Sequence, residues 1–352
     1  MDSSPNGSLP LNSEPLLTVV IPTLNRASAL ESQLTELARQ YDGSFQVLVS
    51  DNGSNDETPS VVNKWQQRFP VLRYNRFETN QGFDRNIFRA YQLTRTLYLW
   101  YCSDNYPIYP GAVAGIVDRL RAYEPTVAAM GVLSEENPEI LSAGGERVFR
   151  SEAEMPNYDD LFRGVMLSSL VLRRMEIDES RVVHAFGTWF MQLALCQELL
   201  RQRFCFAVFP NVFVAKKKVN RHAASRPYLD LWVNSPLRAL RVSGGPLKWE
   251  RIQSWMNGTW RAYFKVLLSA RIGLYQLDVT PNVQAFKTAW TLLGVHAVLF
   301  YGCNLLAWSM PSSLVRAVYR HRLVRRYGEC RGQQLFEERT LSAQRQTTAS
   351  AW

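Results

Sequence analysis

Three apolar runs in this chain each end on side chains that can accept or donate hydrogen bonds. Thr18-Val-Val-Ile-Pro22 gives way to Thr23, Asn25 and Arg26. Phe45 to Val49 runs into Ser50-Asp51-Asn-Gly-Ser-Asn-Asp56, and Leu97-Tyr-Leu-Trp-Tyr101 runs into Ser103-Asp104-Asn105. A carboxylate in such a place can take the N–H or O–H of a polar ligand, and a Gly/Ser/Asn turn lets backbone approach it closely. Taken alone, Asp51 and Asp56 suit the capping of a turn and the following helix equally well. A fourth cluster, Asn80-Gln-Gly-Phe-Asp-Arg-Asn86, has in Gly82 a residue that permits a positive φ or a close backbone approach.

The spacing of apolar residues says what positions these groups. It predicts a strand over 16–22 and a helix from Ser28 to Tyr41 that puts Leu30, Leu34 and Leu37 on one face. Further strands are predicted at 45–50, 71–77 and 97–101, with helices at 59–69 and 86–93. Strands alternating with helices at this interval make a doubly wound, mostly parallel α/β sheet, whose ligand edge is the carboxyl end of its strands. After Thr126 the pattern becomes irregular, and Phe204–Ala215 is the clearest later strand.

Composition narrows the class. The 352 residues, 46% hydrophobic and 20% charged, can bury a large core and are not those of a disordered chain. The opening residues carry no basic apolar run of the secretory type. Five scattered cysteines without CxxC spacing argue for a reducing compartment and against a zinc cluster. The net charge of +9 concentrates in Lys216–Arg221 and toward the C-terminus, which suits an anionic lipid or phosphorylated ligand as well as nucleic acid.

The strand Thr18-Val-Val-Ile-Pro-Thr-Leu-Asn-Arg26 followed by Val49-Ser-Asp-Asn-Gly-Ser-Asn-Asp56 resembles the N-terminal signature of family-2 glycosyltransferases, enzymes of the A-type nucleotide-sugar fold. The resemblance implies hexosyl-type transfer from a nucleotide-sugar donor to an acceptor hydroxyl, with inversion. It gives Asp51 the hydrogen of the donor's base, and sets Pro22, Thr23 and Asn25 against base and ribose. Asn80, Gly82 and Asn86 then belong to a loop that closes over the nucleotide. Asp104 serves the ribose and, with Asn105 (Tyr106 being the other residue that could fall at the second acidic position), a Mg2+ or Mn2+ ion on the diphosphate. Here the chain departs from the family pattern. Only Asp104 is a carboxylate, and hard cations prefer anionic oxygen. Metal dependence is therefore expected to be weak, with Arg221 and His222 of Lys216-Lys-Lys-Val-Asn-Arg-His222 meeting the diphosphate instead.

The catalytic base is harder to read. Where the family shows an acidic pair, this chain has His184-Ala-Phe-Gly-Thr-Trp-Phe-Met-Gln192. His184 has the intrinsic pKa for the task, although a lone histidine is more often structural. Trp189 suits the face of a sugar, while Glu176, Asp178 and Glu179 read as surface charges. The reduced acidic set motivates a rival, a non-catalytic sugar-nucleotide or glycan-binding relative. A nucleotidyltransferase or a dinucleotide oxidoreductase is disfavoured by the absence of a Gly-rich phosphate loop.

Thr288 to Val315 contains no Asp, Glu, Lys or Arg and exceeds the roughly 20 residues that span a bilayer. His296 and Asn304 oppose spanning. Beyond Pro311, a helix with Leu314, Val315, Val318 and Tyr319 opposite Arg316, Arg320, Arg325 and Arg326 completes the composition of an interfacial anchor. The expected organisation is a flexible tail (1–15), then a transferase domain (16–235) with a nucleotide half (16–120) and an acceptor half (121–235). A helical, membrane-associated extension (236–330) and a disordered tail (331–352) follow. The expected partners are a nucleotide-sugar donor, a saccharide or lipid-linked saccharide acceptor and the inner face of a membrane, with no nucleic acid. The expected location is the cytoplasmic side.

Overall fold

The computed structural model describes residues 14–69, 71–104, 107–134, 145–163, 167–216, 224–241, 245–272, 274 and 277–349. The chain divides into two compact units: Met1–Lys218 with Val242–Pro246, and Val219–Arg241 with Leu247–Trp352.

The first unit is built on strands β1 (Leu17–Thr23), β2 (Phe45–Asp51), β3 (Leu72–Arg76), β4 (Tyr98–Tyr101), β5 (Val127–Ser134), β6 (Arg147–Phe149), β7 (Leu170–Arg173) and β8 (Phe206–Lys216). They form one sheet in the order β3-β2-β1-β4-β7-β5-β8-β6. The first four are mutually parallel, β7 runs antiparallel to both β4 and β5, and β5 pairs parallel with β8. Helices α1 (Ala27–Arg39), α2 (Thr58–Gln66), α3 (Phe83–Leu93), α4 (Ala112–Tyr123), α5 (Asp159–Arg163) and α6 (Met191–Gln202) accompany it. Consecutive residues of β1 and β2 are buried on both faces, as a sheet covered by helices on both sides requires. Val19, Ile21, Val47, Val49 and Trp100 join Leu30, Leu34 and Leu37 of α1 in one apolar core. The predicted face of α1 is the face that packs.

Two chain features bring loops to the carboxyl edge. Gly82, at φ 87°, turns the chain into α3. Gly53, at φ 84°, lies so close to the next loop that a Cβ there would meet the Thr79 carbonyl carbon at 2.7 Å. Both positions are accessible to glycine and strained for other residues.

The second unit holds β9 (Ala224–Pro227) paired with β10 (Leu277–Asp278), and helices α7 (Ser235–Leu240), α8 (Trp249–Gly258), α9 (Trp260–Arg271), α10 (Val283–Leu293), α11 (Ala297–Ser309), α12 (Ser312–Tyr327) and α13 (Glu329–Ala349). The last of these corrects the expected disordered tail. Residues 329–349 are rich in helix-forming Glu, Gln, Arg and Leu. α13 lies back on α12, with Tyr319 and Phe336 rings 6.1 Å apart and Gly332 against the Val324 backbone. The expected sidedness of α12 is also revised. Val315 and Leu323 face inward, whereas Leu314 and Val318 stand exposed among the basic residues.

Candidate active site

The parallel register pairs Thr23 with Asp51, so the ends of β1 and β2 deliver these two side chains next to each other. β4 lies on the other side of β1 and leads through Cys102, whose N–H donates to the Val20 carbonyl, to Asp104. Thr23 Oγ donates to Asp104 Oδ2 at 3.0 Å, and Arg26 Nη1 reaches Asp104 Oδ1 at 3.4 Å. Asp104 is only 8% exposed. Burial pushes its carboxyl above the usual carboxylate range, and the Arg26 charge and the Thr23 hydroxyl hold part of that rise back.

Asp51 is fully buried. Its Oδ1 accepts the Ser54 N–H at 2.8 Å and the Ser54 hydroxyl at 2.6 Å, and its Oδ2 accepts the Tyr74 hydroxyl at 2.7 Å. Arg76 Nε stands 3.6 Å away, with its side chain 43% exposed. Burial, followed by the bond to Asp51, pushes the Tyr74 phenol well above its ordinary value, so Tyr74 remains a donor. Both oxygens of Asp51 are therefore engaged inside the protein. In this geometry the side chain anchors the loop after β2.

The neighbouring loops are sewn together by side chains. Asn25, at φ 53°, donates its N–H to Ser54 Oγ and accepts the Asn55 N–H on its own Oδ1. Asn52 donates to Asn80 Oδ1 at 2.8 Å and accepts the Gln81 N–H, while Asn80 Oδ1 also takes the Gly82 N–H. Pro22, Thr23, Asn25, Asp51, Asn80, Gly82 and Asp104 thus gather at one sheet edge. Asn86 does not join them, which corrects the expectation that it closes over a ligand. It is buried one turn into α3, accepting from the Ser50 hydroxyl at 2.6 Å and donating to the Ser50 carbonyl at 2.9 Å. Its amide is spent holding the end of β2.

Among the described residues, the groups around Asp104 do not fit a divalent-cation site. Asp104 has one oxygen on a hydroxyl and the other beside a guanidinium, whose charge opposes a second cation. Among the described residues no three Cys, His, Asp or Glu side chains are placed to share a metal. Asn105, the expected second ligand, lies outside the described residues, as do Arg221 and His222.

A family model for glycosyl transferase family 2 matches residues 18–176, the stretch that contains all of these loops. That stretch, somewhat less than half of the chain, is similar to family 2 glycosyl transferases. Validoxylamine A glucosyltransferase from Streptomyces hygroscopicus is 49% identical over 59 residues, 16% of this chain and 14% of that protein. A PGL/p-HBAD biosynthesis glycosyltransferase from Mycobacterium bovis is 27% identical over 118 residues, 33% of this chain and 46% of that one. The chain thus matches less than half the length of either curated relative. The fold is shared with S. aureus TarS 1-349 in complex with UDP-GlcNAc, at TM-score 0.57, 13% identity, and coverage of 94% of this chain and 91% of that chain.

One loop of the first unit was not legible in the sequence. Asp84, in the first turn of α3, accepts the Trp189 N–H at 2.8 Å and the Met191 N–H at 3.1 Å. Gly187 and Thr188 direct N–H groups at the same carboxylate, which burial still pushes above its ordinary range. The segment from residue 187 to the start of α6 is thereby fixed at the amino end of α3, beside Gly82. His184 precedes it, exposed on the short helix Val183–Ala185. Tyr74, Arg76 and Asp84 carried no sequence signal as site residues, because each acts through a partner distant in the chain.

Proposed function

We propose that this protein transfers a sugar from a nucleoside diphosphate donor to an acceptor hydroxyl, with inversion at the anomeric carbon. The observation that carries the reading is the cross-bonded Thr23–Asp104–Arg26 group beside Asp51 at the carboxyl edge of four parallel strands. The base lies against Pro22 and Asn25 and reaches Asp51 by taking the place of the Tyr74 hydroxyl. Asp104 receives the ribose hydroxyls. Arg26 and Arg76 face the diphosphate and supply positive charge there. His184 is the base that takes the acceptor's proton.

The test is turnover by the purified chain over a panel of nucleotide sugars that begins with UDP-glucose and UDP-GlcNAc. Release of nucleoside diphosphate and the anomeric configuration of the product are read together. Activity is expected to survive chelator, retaining at least about half its rate, because positively charged side chains do the work of a metal at the leaving group. Complete loss with chelator and full rescue by Mn2+ would remove that role from the basic residues. Donor binding without turnover across the panel would favour the non-catalytic rival.

The acceptor is proposed to be presented at a membrane, on the cytoplasmic side. Val283–Ser309 is long and apolar enough to cross one: an 18-residue stretch of it has mean hydropathy 1.4 and is 39% buried inside the structure. It is interrupted by the short helix Gly294–His296. α11 also keeps a polar contact with α9, Asn304 Nδ2 to the Tyr263 hydroxyl, on its buried side. Its other side leaves Val298, Leu305, Leu306 and Trp308 exposed. One packed face and one bare apolar face suit a helix lying in the interface better than one crossing it. Nearby Arg316, Arg320, Arg325 and Arg326 each add about 1 kcal/mol against an anionic surface, a term that salt weakens. The wild type is expected in the membrane fraction and extracted by high salt with alkaline carbonate. Val298→Glu with Trp308→Glu should shift it to the soluble fraction. An unchanged partition would reassign this face to protein packing.

A further inference from the structure

We propose that Trp189 is the platform on which a pyranose ring stacks in this site, and that Asp84 is the positioning residue that holds it there. The proposal rests on the transferase reading and adds the group that recognises the sugar. Three observations converge on it. Trp189 has φ 69°, a backbone state that bulky residues rarely adopt. Such strain persists only when the surroundings enforce it, and it collects at functional sites. The enforcing contacts are visible: Asp84 gathers the N–H groups of residues 187–189 and 191. Thr188, fully buried, ties the same turn from below by donating to the Ala185 carbonyl and accepting the Phe190 N–H.

The second observation is exposure. Within a segment whose neighbours Thr188, Phe190 and Met191 are buried, Trp189 is 42% exposed. Phe186 is the aromatic that packs at the foot of the segment, against Phe88 at 5.8 Å and under the Arg85 guanidinium at 4.9 Å. The third is location. α3 begins at the carboxyl edge directly after Gly82, and Asp84 draws Trp189 to that end of the helix. Indole faces pack well on the C–H faces of sugar rings because they are broad, apolar and rigid.

Trp189→Gly separates the ring from the backbone. Glycine adopts positive φ freely, so this variant keeps the loop conformation and removes only the platform. It should melt at or above the wild-type temperature and bind the free nucleoside diphosphate within twofold of wild type. Its KM for the sugar-bearing partner should rise at least tenfold. Trp189→Phe should recover most of that loss, and Asp84→Asn should reproduce part of it. A tenfold rise confined to the nucleotide sugar assigns the ring to the donor, and one confined to the accepting glycoside assigns it to the acceptor. Either result supports the proposal. If the wild type turns over a nucleotide sugar and Trp189→Gly keeps both KM values within twofold, the proposal is overturned while the transferase reading stands. A lowered melting temperature with unchanged KM likewise overturns it and makes the indole a packing group. A wild type inert over the whole panel overturns both.

Discussion

Asp104→Asn is expected to lower kcat/KM for sugar transfer by about a hundredfold or more, some 2.7 kcal/mol of transition-state stabilisation. The substitution keeps the shape of the side chain and an acceptor for Thr23, but removes the charge that holds Arg26, which the proposed function sets against the diphosphate. Arg26 is 35% exposed, so solvent covers part of the loss and the fold survives. The pH profile gives a second reading of the same residue. Its folded-state pKa is raised, so ionising Asp104 costs stability. That contribution is intact at low pH and is lost as pH rises through the folded value. Activity follows the opposite course, because the carboxylate form is the one that pairs with Arg26. The acid limb of the rate profile should therefore stand above the ordinary carboxylate range in the wild type and vanish in Asp104→Asn. Single-donor kinetics from acid to neutral pH measure both effects. A variant within threefold of wild type with an unaltered acid limb would take Asp104 out of the reaction.

Asp51→Ala should damage stability and donor binding together. It strands the Ser54 N–H, the Ser54 hydroxyl, the Tyr74 hydroxyl and the Arg76 charge around a fully buried position. Removing a buried charged acceptor from such a set costs about 3 kcal/mol. That corresponds to roughly 6–12 °C in Tm for a unit of this size. Loss of the charged acceptor at the base should also weaken nucleotide affinity by roughly tenfold. Thermal unfolding and calorimetric titration of one preparation check the two parts. Asp51→Asn, which retains an acceptor for Ser54, should keep more of the stability than of the affinity. A stable Asp51→Ala protein with wild-type affinity would contradict both assignments.

These residues differ in how far their roles could be read beforehand. β1, β2 and β4 announced themselves because long apolar runs stop abruptly at polar turns, and the side chains at those stops are the ones the edge collects. β5 did not. Val127-Ala-Ala-Met-Gly-Val-Leu-Ser134 lies inside the sheet between two neighbours, so it shows no alternation, and its alanines and glycine carry little strand preference. β7 is only four residues long and antiparallel, a reversal no local pattern encodes. Asn86 misled because an amide near a glycine turn reads as ligand-facing, and only the helix phase reveals that it points at Ser50. The Asp84–Trp189 bond spans 105 residues, beyond the reach of any local pattern. The loops at the strand ends were legible; the support beneath them was not.

The place of β7 has a consequence for how the first unit comes into being. β3, β2, β1 and β4 can assemble once the stretch from Leu17 to Tyr101 has emerged, since their pairings involve only that stretch. β5 cannot join them directly, because β7 sits between β4 and β5. From the time β4 is made until Leu170–Arg173 arrives, the Tyr98-Leu-Trp-Tyr101 edge has bare backbone donors and acceptors flanked by large apolar side chains. An open, apolar strand edge invites pairing with other chains. The nascent protein therefore passes through a window of vulnerability that closes with the insertion of one four-residue strand, and any interruption of synthesis within that window leaves a sticky half-sheet.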